Sequence, residues 1–457
     1  MSEYAITGEV MRDTNSTSIG HDLLEVPRFG QLLDRRRDRL GLLISAARAC
    51  GDVVGLKFGT REFYLLVHPD AIQHVLVTNH RNYHKGPDHI YLKPMIGDGL
   101  ITSEGEAHLQ QRRMLQPAFH HARIAAYATA MTSYTTEMLD GWRHGATVDL
   151  SAELMSLTRR IVTWVLYGVD IDDDGDPFGP RLRAALAQFN EDQRGLLPNT
   201  RRAVRDLDTI TYALIAQRRA AGETTGDLLS MLLAMRRKTP GAPGAPGAPL
   251  TDQQIRDEIM TLFFAGHETT AAALTWSWYL LAQHPDAMTT LRGELDAVLG
   301  ARPPTVDDLP RLRYTTMVFA EALRLFPSVW SITRTSVAED RIGPYRIPAG
   351  MPVMISPYIT HRDARFYPDP DRFDPTRFDP DHDVRKRLPR FAYVPFGGGP
   401  RQCMGESFGW MEGTLLLATM GQRFHMRLAP DHEVVPRALI TLRPKDGVRV
   451  VLDAIRR

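Results

Sequence analysis

Cysteine is almost absent from this chain, with only Cys50 and Cys403 among 457 residues. A disulfide framework or a thiolate zinc cluster needs more thiols, so both are excluded, and a reducing cytoplasm fits. Long apolar runs are missing as well. The first 19 residues are polar, carry Glu3, Glu9, Arg12 and Asp13, and offer no signal peptide or membrane span. Neither sign of charge dominates: 55 Lys and Arg stand against 54 Asp and Glu, a net charge of +1. With no long basic block, this balance argues against nucleic-acid binding. What is present, 43% hydrophobic and 24% charged residues, is the composition of a soluble globular protein.

The pattern along the chain predicts a large helical body at about 107–326 and 404–422, with β-rich parts near 53–67, 330–356 and 438–453. Residues 53–59 and 62–67 read as a hairpin, and Pro69 as the start of a helix running to Val77. A late hairpin is expected between 438–442 and 448–453, turning at 444–447. Cys50, before Gly51, marks a helix end. The run 240–249, P-G-A-P-G-A-P-G-A-P, reads as a linker and is assigned no chemistry. Thr251-Asp252-Gln253-Gln254 is a capping box. It opens an apolar helical pattern that continues to His284, where Pro285 stops it, roughly 50 Å of helix.

The most informative residue is Cys403, in the run Phe396-Gly397-Gly398-Gly399-Pro400-Arg401-Gln402-Cys403-Met404-Gly405. A glycine-rich loop before a helix start aims backbone N–H groups and the positive end of the helix dipole at the sulfur, which favours thiolate. Such a thiolate suits axial ligation of haem iron. The run resembles the haem-ligand loop of the cytochrome P450 family, F-x-x-G-x-R-x-C-x-G. Every fixed position is met by Phe396, Gly399, Arg401, Cys403 and Gly405.

Ala265-Gly266-His267-Glu268-Thr269-Thr270, midway along the long helix, resembles the family's A/G-G-x-D/E-T-T/S pattern. Threonine can donate to the carbonyl four residues back, Ala265 for Thr269, and a local bulge with room for dioxygen is expected there. By the resemblance, Thr269 positions dioxygen and water, and Glu268 relays protons; His267 reads as structural or solvent-facing. Glu321 and Arg324 form the family's E-x-x-R pair, and with Arg377 they are expected to make a buried triad that locks the loop leading to Cys403. His108 and Arg112, at i,i+4, resemble a propionate-binding helix. Arg334 and Arg401 match two further propionate contacts, suited by bidentate guanidinium–carboxylate geometry. Phe396 is expected to shield the sulfur. By resemblance the substrate pocket is lined from 89–100, 188–197, 262–269, 328–332 and 438–441, with Ile90, Tyr91, Met95, Phe263, Ala265, Val329, Trp330, Leu439 and Ile440 as candidates.

The resemblance implies a single domain over 1–457. Its fold would be mainly α with a smaller β-rich lobe, holding haem b between the long helix and the cysteine loop. It implies a soluble, bacterial-type haem-thiolate monooxygenase, cytoplasmic and acting in secondary metabolism. Such an enzyme inserts one atom of dioxygen into a lipophilic molecule such as a terpenoid, fatty acid or polyketide. Electrons would come from a separate ferredoxin or flavodoxin with its reductase. A hydrogen-peroxide-driven peroxygenase and a non-enzymatic haem sensor are the alternatives.

Overall fold

Two β-rich runs pair as antiparallel strands, Val53–Phe58 with Arg61–Leu66, as their β-branched and aromatic residues predict. They stand in a computed structural model describing residues 10–11, 24–32, 38–58, 61–172, 178, 180–181, 198–222, 226–235 and 249–455. The 188–197 segment and most of the 240–249 linker lie outside these residues. The chain forms two units, Met1–Asp88 with Leu323–Cys403 and His89–Ala322 with Met404–Arg457.

In the first unit, the hairpin joins a seven-stranded sheet. Pro352–Ile355 runs parallel to Arg61–Leu66 and antiparallel to Ile332–Ser336, which in turn pairs with Tyr83–Lys85. The alternating residues Tyr64, Leu66, Val353 and Ile355 pack with Ile72 and Leu76 into one core. Pro69 opens its helix as expected, but Pro69–Gln73 then widens into a π-helical turn, His74–Thr78. Cys50 ends the helix Arg39–Cys50, where Gly51 takes φ 91° and donates to the Ala47 carbonyl.

The second unit is mostly helical. Its axis is the helix Asp252–Gln283, 32 residues long, with both halves of the capping box formed. The Gln254 N–H donates to Thr251 Oγ1, and the Thr251 N–H donates to Gln254 Oε1. Residues 255–278 are buried except Leu262, Ala265, Gly266 and Thr269. That spacing of three, four and seven puts the four on one face of the helix. The neighbouring helix Leu150–Tyr167 approaches closely at Gly266, where a Cβ would sit 2.9 Å from Val162 Cγ2.

The late hairpin differs from its expected form. Pro436–Ala438 pairs with Leu442–Pro444, so residues 438–442 span a tight turn rather than one strand. Arg449–Ala454 is a strand, but its partners are Phe424–Leu428 and Thr147–Asp149. Val450 and Leu452 are fully buried with Met426, and this shared apolar face decides the pairing over nearness in sequence. The chain is thus mainly α with a smaller β-rich part. Among the described residues no helix is long and apolar enough to cross a membrane.

Candidate active site

The cysteine loop follows a path that side chains cannot follow. Gly397 and Gly399 have φ of 71° and 70°. A Cβ at Gly399 would lie 2.0 Å from the Leu76 carbonyl oxygen, and one at Gly398 would lie 2.5 Å from the Phe391 ring. The Cys403 N–H donates to the Phe396 carbonyl at 2.9 Å, closing the loop on itself. Cys403 is exposed and Phe396 half-buried. Arg401 and Arg334 line one small cavity with Val75, Leu76, His80, Tyr83 and Pro400. Arg334 is buried, and its Nη1 donates to the Thr333 carbonyl.

Arg324 braces the chain behind this loop. It is fully buried and donates to the carbonyls of His361, Pro370 and Arg372, at 2.9, 2.6 and 3.0 Å. Arg377 donates to the Asp369 carbonyl, so both arginines hold the same turn. Glu321, one helical turn before Arg324, is fully buried. His361, which sequence reasoning did not single out, links this brace to the loop: its Nε2 accepts from the Val394 N–H at 2.8 Å. Burial, then the nearby Arg324 charge, push His361 down to about 3, so it stays neutral and able to accept.

In the helical unit, Thr269 Oγ1 donates to the Ala265 carbonyl at 2.7 Å, as its spacing predicts. The segment is α-helical throughout, with no break in the helix at the expected bulge. Glu268 is buried at 5% exposure, and its Oε1 accepts from Thr441 Oγ1 at 2.5 Å. His267 is structural. It is buried, its Nδ1 lies 2.8 Å from the Phe263 carbonyl, and its ring stacks on Phe263. Burial lowers its pKa, with Glu268 opposing and Arg159 adding to the shift. His108 is buried and Arg112 half-buried on the helix Gly105–Leu115, while Arg113 is exposed. Gly405 caps the helix Glu406–Arg423. On that helix, Glu412 is buried against Thr270, and burial raises its carboxyl to about 8.

The pocket candidates separate by burial. Met95 and Phe263 lie inside the core at 3% exposure each, and Trp330 is buried, its carbonyl accepting from Ser356. Val329 and Ile440 are exposed, whereas Ala265 and Leu439 are half-buried. The side chains of Ile90 and Tyr91 lie outside the described residues. Thr441 and Glu412 were also not foreseen as partners of the central helix, since no local pattern marks contacts across so many residues.

A haem-thiolate centre needs an accessible sulfur on a rigid loop, cations for two propionates and a face of small residues for dioxygen. The exposed Cys403 on its glycine-built loop, the paired Arg334 and Arg401, and the partly exposed face at Ala265, Gly266 and Thr269 fit those needs. The family model for cytochrome P450 matches residues 22–448. Cyclooctatin synthase of Streptomyces melanosporofaciens is 40% identical over 442 residues, covering 91% of this chain and 92% of that protein. Pentalenene oxygenase of Streptomyces avermitilis is 33% identical over 441 residues, 94% and 96% of the two chains. The fold matches the heme domain of cytochrome P450DA with a TM-score of 0.82 at 24% identity, over 95% of this chain and 99% of that one. The chain therefore belongs to the cytochrome P450 family and is an oxidoreductase, a haem-iron monooxygenase.

Proposed function

We propose that this enzyme, acting as a single cytochrome P450 domain, hydroxylates or epoxidises a terpenoid-like hydrocarbon in secondary metabolism. Hydroxylation balances as one C–H bond, dioxygen, two electrons and two protons giving C–OH and water. The electrons come from a separate ferredoxin or flavodoxin with its reductase in the cytoplasm. The reading is carried by Cys403, exposed on a loop whose glycines admit one backbone path. The terpenoid class is supported by two relatives named for oxygenating pentalenene and cyclooctat-9-en-7-ol.

Haem b, held by the Cys403 sulfur, supplies dioxygen activation when bound. Cys403 would donate thiolate charge, and Phe396, whose carbonyl accepts from the Cys403 N–H, would flank the sulfur. His108, Arg112, Arg334 and Arg401 would hold the propionates, the arginines by charge and His108 as a hydrogen-bonding side chain. Arg324, Arg377 and Glu321 keep the loop in register from behind. Thr269 offers a hydroxyl on the helix face that its unit leaves uncovered, to orient dioxygen and water. Glu268 carries protons to that hydroxyl, since O–O cleavage consumes two. Leu439, Ile440, Val329 and Ala265 offer apolar surface to substrate.

The test is turnover of pentalenene-like hydrocarbons under isotopically labelled dioxygen with a ferredoxin and reductase. One labelled oxygen per product is expected, with slower turnover on hydrogen peroxide. Faster turnover on peroxide alone would make the enzyme a peroxygenase.

A further inference from the structure

Thr441 is the residue whose position the reading above does not use. It sits at the end of the tight turn between Pro436–Ala438 and Leu442–Pro444, where its carbonyl accepts from the Leu439 N–H. Its side chain is buried at 3%, and its hydroxyl meets Glu268 at 2.5 Å. The next residue is anchored to the same helix two turns on, because Trp276 Nε1 donates to the Leu442 carbonyl at 2.9 Å. The hydroxyl is therefore held where it points rather than free to rotate away with its loop. A buried carboxylate gains most from such a charge-assisted donor, which replaces lost hydration. Leu439 and Ile440, the two residues before Thr441, are half-buried and exposed respectively, and they form the turn's tip.

We propose that Thr441 is a positioning residue for Glu268, holding its carboxylate for proton delivery from a hairpin whose tip meets the substrate. This rests on the relay role proposed for Glu268. The connection is short: Leu439 and Ile440 directly precede the residue that carries the hydroxyl. Among the described residues, the charged and titratable groups acting on Glu268 include Arg443, on the same hairpin, and His267, beside it on the helix. Arg159, on the neighbouring helix, acts on His267. Arg443 is itself disfavoured as a cation by burial, and the Glu268 carboxylate favours its charge. The hydroxyl thus provides a neutral donor in a pocket where cations are partly desolvated.

The test compares Thr441→Val, which keeps shape and removes the donor, with Thr441→Ser, which keeps the donor, in haem-loaded protein. The first readout is the infrared carboxylate band of Glu268, assigned by its loss in Glu268→Gln. The second is the solvent deuterium isotope effect together with product formed per electron pair. For Thr441→Val the band is expected to shift, coupling to fall about tenfold, the scale of one hydrogen bond to a charge, and the isotope effect to rise. Thr441→Ser is expected to restore all three. An unmoved band overturns the proposal, and so does a moved band with unchanged coupling and isotope effect, since the hydroxyl would then be only structural. If Glu268→Gln itself leaves coupling and isotope effect unchanged, the relay reading fails instead, and the band still reports whether Thr441 holds the carboxylate.

Discussion

The long helix treats its polar residues in opposite ways along its length. From Ile255 to Thr261 it is bolted down by charge. Arg256, nearly buried, pairs with Asp208 at 2.6 Å and Asp257 at 3.0 Å, and it donates to the Met95 carbonyl. Asp257 also accepts from the Asp98 N–H, and Glu258 accepts from the Leu100 N–H. Glycine makes that contact possible: Gly97 has φ 69°, and a Cβ there would lie 2.0 Å from the Asp257 carboxylate. From Leu262 to Thr270 small residues stand at Ala265, Gly266, Thr269 and Thr270, and the polar side chains meet hydroxyls and carbonyls. The contrast teaches that a rigid, charge-matched end lets the middle expose a narrow face without loosening. Arginine–carboxylate pairs hold the first stretch, whereas in the second Glu268 meets a neutral hydroxyl.

Breaking the rigid end gives the largest expected effect. Arg256→Ala takes the cation from the buried Asp257 and the half-buried Asp208 and should cost about 3–5 kcal/mol, read by denaturant unfolding of the holoprotein. A loss below about 1 kcal/mol would mean the ion pairs do not fix this end.

The next effect probes the closed side of the middle, where Glu412 faces Thr270. Burial holds its carboxyl up at about 8, against an ordinary value of 4.5. Below about pH 4.5 neither the folded nor the unfolded chain ionises it. Between there and about 8 only the unfolded chain does, so stability falls as pH rises, and above 8 the penalty stops growing. Glu412→Gln removes the penalty. Its stability advantage over the parent should grow by about 3 kcal/mol between pH 5 and 7, at about 1.4 kcal/mol per unit. A pH-independent difference would show the carboxyl ionises normally.

Gly266→Ala sharpens the comparison at the close approach. Alanine is the better helix former by about 1 kcal/mol, but its methyl meets Val162 at 2.9 Å. A net loss of about 1–2 kcal/mol is expected, largely recovered by adding Val162→Ala in a double-mutant cycle. The smallest stability effect belongs to Thr269→Ala, within about 0.5 kcal/mol, since the exchange removes one helical back-bond from a half-exposed side chain. Haem and substrate binding should persist while peroxide replaces product. Unchanged coupling would refute the role given to Thr269.

What was legible follows from how local each signal is. The capping box at Thr251 and the hairpin at 53–66 depend on residues a few positions apart, and both stand in the structure. The Cys403 loop was legible because its tight path forces glycine at fixed positions. The late hairpin was misread because Arg449–Ala454 chooses partners by a buried face, and one of them, Thr147–Asp149, lies some 300 residues away. His361 and Thr441 left no local trace for the same reason. Their roles arise when distant segments meet, Thr441 with Glu268 being 173 positions apart. Met95 and Phe263, named as pocket candidates by resemblance, lie in the apolar core of the helical unit.

The central claim is that the Cys403 sulfur ligates haem iron, and absorption spectroscopy of the reduced holoprotein under carbon monoxide tests it most directly. The account predicts the red-shifted band of thiolate-coordinated haem in the parent protein and its loss in Cys403→Ser. A parent protein without that band, or a serine variant that keeps it, would contradict the account.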